Sequence, residues 1–373
     1  LLGLGATRAP QGALSAVIAS ANAGTSPILS IDLPSGLSAD QGRLLGEQAI
    51  RARWTLSLLT LKPGLFTGAG RDHAGEVWFD DLGVTGGVAQ AWLGAQTAAP
   101  PPGFGSRRHV QHKGSFGDVH VVGGAPGMAG AALLAARAAL TAGAGRVYLS
   151  PLDPAPAMPD RPELMRRPEV WLAEAMRLQT ATVVCGCGGG EAVRAALPPL
   201  LSSAGRLVLD ADALNAIAAD VGLREGLRQR SGRALATILT PHPLEAARLL
   251  GVSAADVQAD RLAAATQLAA ATQAVVVLKG SGTVVAAPGE APWINASGHA
   301  ALATPGSGDV LAGWIGGLWA QHDATAETAG WAARASVWLH GHAADRALAR
   351  HPRHHHLPLR AADLVDAMAA ALD

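Results

Sequence analysis

Short apolar runs recur along the chain and alternate with longer alanine- and leucine-rich stretches of helical period. The runs at 27–33 and 54–61 come first, followed by 118–122, 146–149, 181–185, 207–210, 236–240 and 274–279. Near-continuous apolar runs suit parallel strands covered on both faces. Helices are predicted over 129–142, 189–203, 243–250, 259–272, 308–320 and 325–348. Strand and helix in alternation predict an α/β fold built on a doubly wound parallel sheet. Ligands of such sheets bind beyond the carboxyl ends of the strands, so polar and glycine-rich segments following strands are the places to look for chemistry.

The pattern breaks at Ala98-Ala-Pro-Pro-Pro-Gly-Phe-Gly-Ser, where a proline run followed by glycines can continue neither a helix nor a central strand. A first domain over 1–97, a linker over 98–106 and a large α/β domain over 107–373 are expected. The first is short for an independent domain and reads as part of one. A partial sheet leaves an open strand edge and uncovered apolar surface, which predicts pairing with another chain, as in a homo-oligomer.

Composition narrows the function classes. With 49% hydrophobic and 16% charged residues the chain is not intrinsically disordered. Lys and Arg number 29 and so do Asp and Glu, leaving no electrostatic footprint for nucleic acid or an anionic membrane. Cys185 and Cys187 lie too close together to frame a disulfide scaffold, and a reducing, cytoplasmic setting is expected. Arg137 and Arg146 interrupt the most apolar stretch, 123–149, so no membrane span is predicted. The opening Leu-Leu-Gly-Leu-Gly carries neither Met nor a basic leader; a signal peptide is not expected, and the true N-terminus is expected upstream.

Six segments carry candidate chemistry. In Thr304-Pro-Gly-Ser-Gly-Asp-Val-Leu, glycines at 306 and 308 precede a predicted helix, making an anion hole from backbone N–H groups and the helix N-terminus. Asp309 in its first turn can take a proton from an attacking hydroxyl while those groups stabilise a transferring phosphate; dipole stabilisation alone is the plainer alternative. Thr240-Pro-His-Pro-Leu-Glu follows a strand, with His242 facing a ligand and Glu245 suited to holding Mg²⁺ through water; an ordinary strand-to-helix turn accounts for it equally well. Leu278-Lys-Gly-Ser-Gly-Thr allows close approach to a nucleotide, with Lys279 and Thr283 in reach of phosphate or ribose, although a hairpin turn has the same composition. Asp210, Asp212 and Asn215 can orient substrate or the water shell of a metal, or cap the next helix. Of the glycine-rich segments His112-Lys-Gly-Ser-Phe-Gly and Gly123-Gly-Ala-Pro-Gly-Met-Ala-Gly, neither is a P-loop, and a lid or substrate-side loop is expected. The cysteines of Cys185-Gly-Cys-Gly-Gly-Gly read as small fillers, and His354-His-His as a solvated loop.

In this order over roughly 105–373, the motifs resemble the ADP/ATP-dependent NAD(P)HX dehydratases, a branch of the ribokinase-like superfamily. The resemblance implies a ribokinase-like parallel-sheet domain preceded by a partial Rossmann-like α/β domain. It also implies repair of hydrated NADH and NADPH: the added hydroxyl is phosphorylated from ADP or ATP, and elimination of phosphate restores the dinucleotide. The fusion favours ADP. By the same resemblance Ala131, Gly188, His242 and Asp309 contact the hydrated dinucleotide, with Asp309 as the activating base. Lys279, Gly280, Ser281, Gly282, Thr283 and Gly308 contact the AMP portion of the nucleotide. Gly186-Cys-Gly-Gly-Gly departs from the Gly-Pro-Gly-x-Gly usual in the family.

Upstream, Ile31-Asp-Leu-Pro-Ser-Gly-Leu, Leu61-Lys-Pro-Gly-Leu and Gly75-Glu-Val-Trp-Phe-Asp-Asp-Leu-Gly resemble the carboxyl half of an NAD(P)HX epimerase domain. That resemblance assigns Asp32 to substrate and Ser35 to a K⁺ ion. The Asn-Asn-Gly-Gly-Asp loop of that family does not occur in the sequence, so epimerase activity is expected to be absent or severely impaired. Two other functions share parts of the pattern. A ribokinase-like kinase of a vitamin precursor or sugar would use the same Asp309 and Glu245, but such kinases usually carry Asn where His242 stands. A non-catalytic binding protein has no use for an intact Gly-Ser-Gly-Asp.

Overall fold

A computed structural model describes residues 1–84, 93–94, 107–153, 161–167, 174–350 and 357–372. The expected linker at 98–106 and the histidine triplet at 354–356 lie outside the described residues. Among those described, no helix is long and apolar enough to cross a membrane.

Two sheets organise the chain. The smaller has three parallel strands, β1 (Leu29–Ile31), β2 (Trp54–Leu58) and β3 (Glu76–Asp80), in that order. Its inward face carries small polar side chains, Ser30, Thr55 and Ser57, while Leu29, Ile31 and Trp78 point outward and are exposed. A small core of Leu33, Leu37, Ala39, Ala49, Leu65 and Ala74 packs beside it. The uncovered apolar surface expected of a partial sheet is thus present.

The larger sheet has ten strands: β4 (Leu93–Gly94), β5 (Asp118–Gly123), β6 (Arg146–Pro151), β7 (Met165–Arg166), β8 (Thr182–Cys185), β9 (Arg206–Leu209), β10 (Ala236–Leu239), β11 (Val275–Leu278), β12 (Val284–Ala286) and β13 (Trp293–Asn295). Their order is β4-β13-β12-β11-β10-β9-β8-β5-β6-β7. Among the described strands only β12 runs against its neighbours. The valine-rich central strands are buried along their whole length, as strands covered on both faces must be. One face is covered by helices Val193–Ser203, Asp212–Ala219, Pro243–Leu250 and Arg261–Thr272. The other is covered by Ala129–Thr141, Ser307–Trp319 and Ala326–Arg350, with Ala361–Ala370 outside them. This is the doubly wound α/β fold expected from the sequence.

Helix Ser307–Trp319 lies very close to Ala129–Thr141. A Cβ added at Gly313 would fall 2.0 Å from the Ala135 carbonyl oxygen, and one at Gly317 would fall 2.2 Å from that of Ala139. Two glycines one helical turn apart therefore let the helices touch through their backbones. This contact aims the amino end of Ser307–Trp319, with Asp309, at the carboxyl edge of the sheet.

One expectation is corrected. The His112-Lys-Gly-Ser-Phe-Gly turn precedes β5, and the amide of Gly145 at the start of β6 donates to the Phe116 and Gly117 carbonyls. A Cβ on Gly117 would lie 2.1 Å from the Ala320 carbonyl oxygen, at the far end of helix Ser307–Trp319. The turn therefore plugs the amino edge of the sheet and is not a substrate-side loop.

Candidate active site

Strand order reverses between β5 and β8: β5 pairs with its sequence neighbour β6 on one side and with β8 on the other. The loops leaving β5 and β8 meet in the crevice this creates. Gly124 and Ala125 donate their amides to the Cys187 and Gly188 carbonyls at 3.0 and 2.7 Å. A Cβ on Gly123 would sit 2.3 Å from the Cys187 carbonyl oxygen, so this approach requires glycine. Gly188 has φ +57°, and a Cβ there would lie 2.9 Å from the Ala131 Cβ. Ala131 and Gly188, distant in sequence, thus form one wall at the amino end of helix Ala129–Thr141.

Asp309 faces that wall from the first turn of Ser307–Trp319. Gly306 precedes the helix in the left-handed region (φ +89°), and half-buried His340 holds the Ser307 carbonyl through Nε2 at 3.0 Å. Burial pushes the His340 pKa down to about 4, so the ring is neutral and Nε2–H donates. First-turn amides lack acceptors within the helix and leave a positive end facing the crevice. Gly308 keeps this end open: a Cβ there would lie 3.3 Å from Lys279 Nζ.

Opposite stand Asp210 and Lys279, paired at 2.5 Å. Asp210 also accepts from the Thr240 hydroxyl at 2.7 Å, and the Lys279 amide donates to the Pro241 carbonyl at 2.9 Å. One ligand atom each of Cys187, Asp210 and Asp309 lie within 4.8 Å of one another. Burial and the nearby Asp210 charge raise Asp309 to a pKa of about 6, against the lowering effect of the Cys187 thiol and Lys279. The Cys187 thiol is itself pushed well above its ordinary value by burial and by Asp309 and Asp210. Its S–H donates to Asp309, so Cys187 is more than the small filler expected from the sequence.

His242 caps helix Pro243–Leu250. Its Nδ1 accepts from the Leu244 and Glu245 amides at 3.1 and 3.3 Å, which places the ring proton on Nε2, 3.2 Å from Glu245 Oε1. The other oxygen of Glu245 accepts from the His242 amide at 2.8 Å. Burial lifts the Glu245 pKa to about 7 and lowers that of His242. Glu245 is therefore first of all the residue that locks the His242 ring. Asp212 accepts from the Gly190 amide at 2.8 Å, and Asn215 from Arg248 at 2.6 Å, so both serve local structure.

Residues Lys279–Thr283 join antiparallel strands β11 and β12, so the segment is a hairpin turn and also borders a cavity. This cavity of about 620 Å³ is lined by Lys279, Gly280, Ser281 and Thr283 on one side, Gly308 at its end, and Arg71 and Asp72 from the first half. Gly282 points the other way, where a Cβ would lie 1.9 Å from the Phe66 carbonyl oxygen.

The acidic groups fit a divalent cation: Asp210, Asp212, Asp309 and Glu245 crowd the crevice, and their mutual repulsion helps raise Asp309 and Glu245. A K⁺ site at Ser35 fits less well. Its hydroxyl is engaged with the Leu2 backbone, at 2.9 Å to the amide and 3.4 Å to the carbonyl. Asp32 (φ +70°) is paired with the Lys62 ammonium and accepts from the Leu58 amide. A cation already occupies the carboxylate, and no step below is routed through K⁺. Among residues the sequence did not single out, Cys187 was marked only by its departure from the expected proline, and His340 and Arg71 had no local signal.

Residues 119–366 match the family model described as NAD(P)H-hydrate dehydratase, and residues 1–64 match that described as YjeF-related protein N-terminus. The bifunctional NAD(P)H-hydrate repair enzyme Nnr of Escherichia coli is 38% identical over 363 residues, covering 94% of this chain and 67% of that protein. The ADP-dependent (S)-NAD(P)H-hydrate dehydratase of Neisseria meningitidis is 44% identical over 250 residues, 66% of this chain and 82% of that one. Among solved structures, the ADP/ATP-dependent NAD(P)H-hydrate dehydratase of Bacillus subtilis, co-crystallised with ATP and Mg²⁺, superposes with TM-score 0.57 at 30% identity, covering 71% of this chain and 92% of that one. A ribokinase-like superfamily protein of Enterococcus faecalis shares the fold, with TM-score 0.57 at 23% identity, over 72% of this chain and 90% of that one. The crevice at the strand-order reversal, closed by Asp309 at a helix N-terminus, therefore belongs to a member of the NAD(P)H-hydrate dehydratase family.

Proposed function

We propose that this chain dehydrates hydrated NADH and NADPH at the expense of ADP or ATP. The observation that carries this reading is Asp309: a carboxylate with a pKa near 6, in the first turn of a helix whose amino end faces both the dinucleotide crevice and the nucleotide cavity. The nicotinamide hydrate lies against Ala131 and Gly188, with His242 presenting its neutral ring from the neighbouring loop. Its hydroxyl oxygen attacks the terminal phosphorus of the nucleotide; Asp309 accepts the hydroxyl proton as the new P–O bond forms and the bond to the departing nucleotide breaks. The amides around Gly308 and the Lys279 ammonium stabilise the transferring phosphoryl group. Loss of the phosphate with its C–O bonding pair, and of a proton from the adjacent carbon, restores the ring double bond. ADP is thereby converted to AMP and inorganic phosphate.

Asp210 and Glu245 would hold a Mg²⁺ ion through water, and when bound that ion would supply charge neutralisation at the nucleotide phosphates. Lys279 holds Asp210 in place through their ion pair, and Glu245 fixes the tautomer of His242. Product analysis tests this reading. One AMP and one inorganic phosphate should form from ADP for each reduced nicotinamide restored. A stable phosphorylated product with no regained nicotinamide would assign the site to a small-molecule kinase instead.

A further inference from the structure

The cavity beside Lys279 is not built by the larger domain alone. Along Phe66–Arg71 the first half of the chain is hydrogen-bonded into the loop that borders it. The Gly68 amide donates to the Ser281 carbonyl at 3.1 Å, and the Ser281 hydroxyl donates back to the Gly68 carbonyl at 2.9 Å. The Thr67 hydroxyl lies 3.3 Å from the carbonyls of both Ser281 and Gly282. It accepts from Arg261 at 3.2 Å, and this buried guanidinium also donates to the Leu278 and Lys279 carbonyls at 3.1 Å. On the opposite wall, Arg71 donates to the Ser297 and Gly298 carbonyls at 3.2 and 2.6 Å. The Gly298 amide is held from the other direction by Asp345 at 2.7 Å.

We propose that the nucleotide site is composite, with Arg71 a positioning residue that holds the Ser297-Gly298 wall of the cavity for a nucleoside di- or triphosphate. This inference rests on the nucleotide-dependent reading above and adds to it a contribution from the first half of the chain. Three features bear on it. Arg71 lines the same cavity as Lys279, Ser281 and Gly308. Its guanidinium borders that cavity beside the carboxylates of Asp345 and Asp72, which offset part of its charge. Its two carbonyl partners lie in a loop outside any strand, with a glycine at φ +109°, which Asn295 and Trp338 tether through Ser297 and Asp345 tethers through Gly298, so Arg71 adds a tether that comes from the first half. Removing Arg71 takes away the tether to the first half and leaves those from Asn295, Trp338 and Asp345, while the Asp309 crevice, built from β5, β8 and helix Ser307–Trp319, keeps its own supports.

The test uses the full chain. ADP binding in the presence of Mg²⁺ is measured by calorimetry for the unaltered protein, Arg71→Ala and Arg71→Lys, alongside steady-state kinetics with the hydrate. Arg71→Ala should weaken ADP binding and raise the KM for ADP at least about tenfold, leave the KM for the hydrate within about twofold, and be partly rescued by Arg71→Lys. Unaltered ADP affinity in Arg71→Ala overturns the composite site while leaving the proposed function intact. Failure of the unaltered protein to bind ADP overturns both. Thr67→Val, which removes the hydroxyl linking Arg261 to the loop, provides an independent arm should Arg71→Ala fold poorly. It too should weaken ADP selectively, and equal weakening toward ADP and hydrate would count against the proposal.

Discussion

Asp309 illustrates how a carboxyl group is tuned by what surrounds it. Burial and Asp210 disfavour its charge, Cys187 and Lys279 favour it, and the balance lies near pH 6. Because the base works ionised, kcat/KM should rise with pH through about 6 and level off above it, which a pH–rate profile measures. Cys187→Ala removes a hydrogen bond that stabilises the carboxylate, so the acidic limb should move to higher pH; an unmoved limb would show that the thiol plays no such part. The same raised pKa has the opposite sign for stability. The folded protein binds a proton at Asp309 more tightly than the unfolded chain does, so stability falls as pH rises from about 4 to about 6, and above that the fold carries the whole cost of the buried charge. Asp309→Asn should therefore melt higher than the parent at pH 8, by roughly 1–3 kcal/mol after allowance for partial solvent access. The gain should fade as pH falls below 6. Turnover should drop by about 10²–10⁴ in the same variant.

At the scale of elements, the site depends on how closely helix Ser307–Trp319 lies on Ala129–Thr141. Gly313→Val forces a branched side chain into the Ala135 backbone, where even a Cβ has only 2.0 Å. It should cost about 3 kcal/mol or more, readable as a large drop in thermal midpoint. Gly188→Ala meets both a positive φ and the Met128 carbonyl at 2.8 Å, and should lower hydrate affinity more than ADP affinity, which separate KM values would show.

These elements also mark what was legible in the sequence. The long valine- and alanine-rich runs gave the central strands and the major helices, because their burial pattern is continuous. Strands β7, β12 and β13 are two or three residues long and too short to carry a pattern. Residues 189–192 were expected to open a helix that begins only at Val193; they form a turn instead, with Gly190 at φ +54°. Asp309, Lys279 and His242 stood out as candidates because Lys279 and His242 follow strands and Asp309 opens a helix, each within a distinctive motif. Arg71 was not, since its role depends on two carbonyls 226 and 227 residues away.

At the scale of the molecule, a small open sheet and a ten-stranded one are stitched together at the Lys279–Thr283 loop. Gln41 adds a contact to Asp260 at 3.2 Å, and Gly282 packs on the Phe66 carbonyl so closely that no larger residue fits. Loosening this seam should register in nucleotide affinity before it registers in chemistry. The central claim is that the crevice restores nicotinamide from its hydrate by phosphoryl transfer through Asp309. The most direct test follows reduced-nicotinamide absorbance with purified (S)-hydrate, Mg²⁺ and either ADP or ATP. The account predicts recovery that needs a nucleotide and is lost in Asp309→Asn. A folded, nucleotide-binding protein that restores no absorbance, or restores it equally in Asp309→Asn, would contradict it.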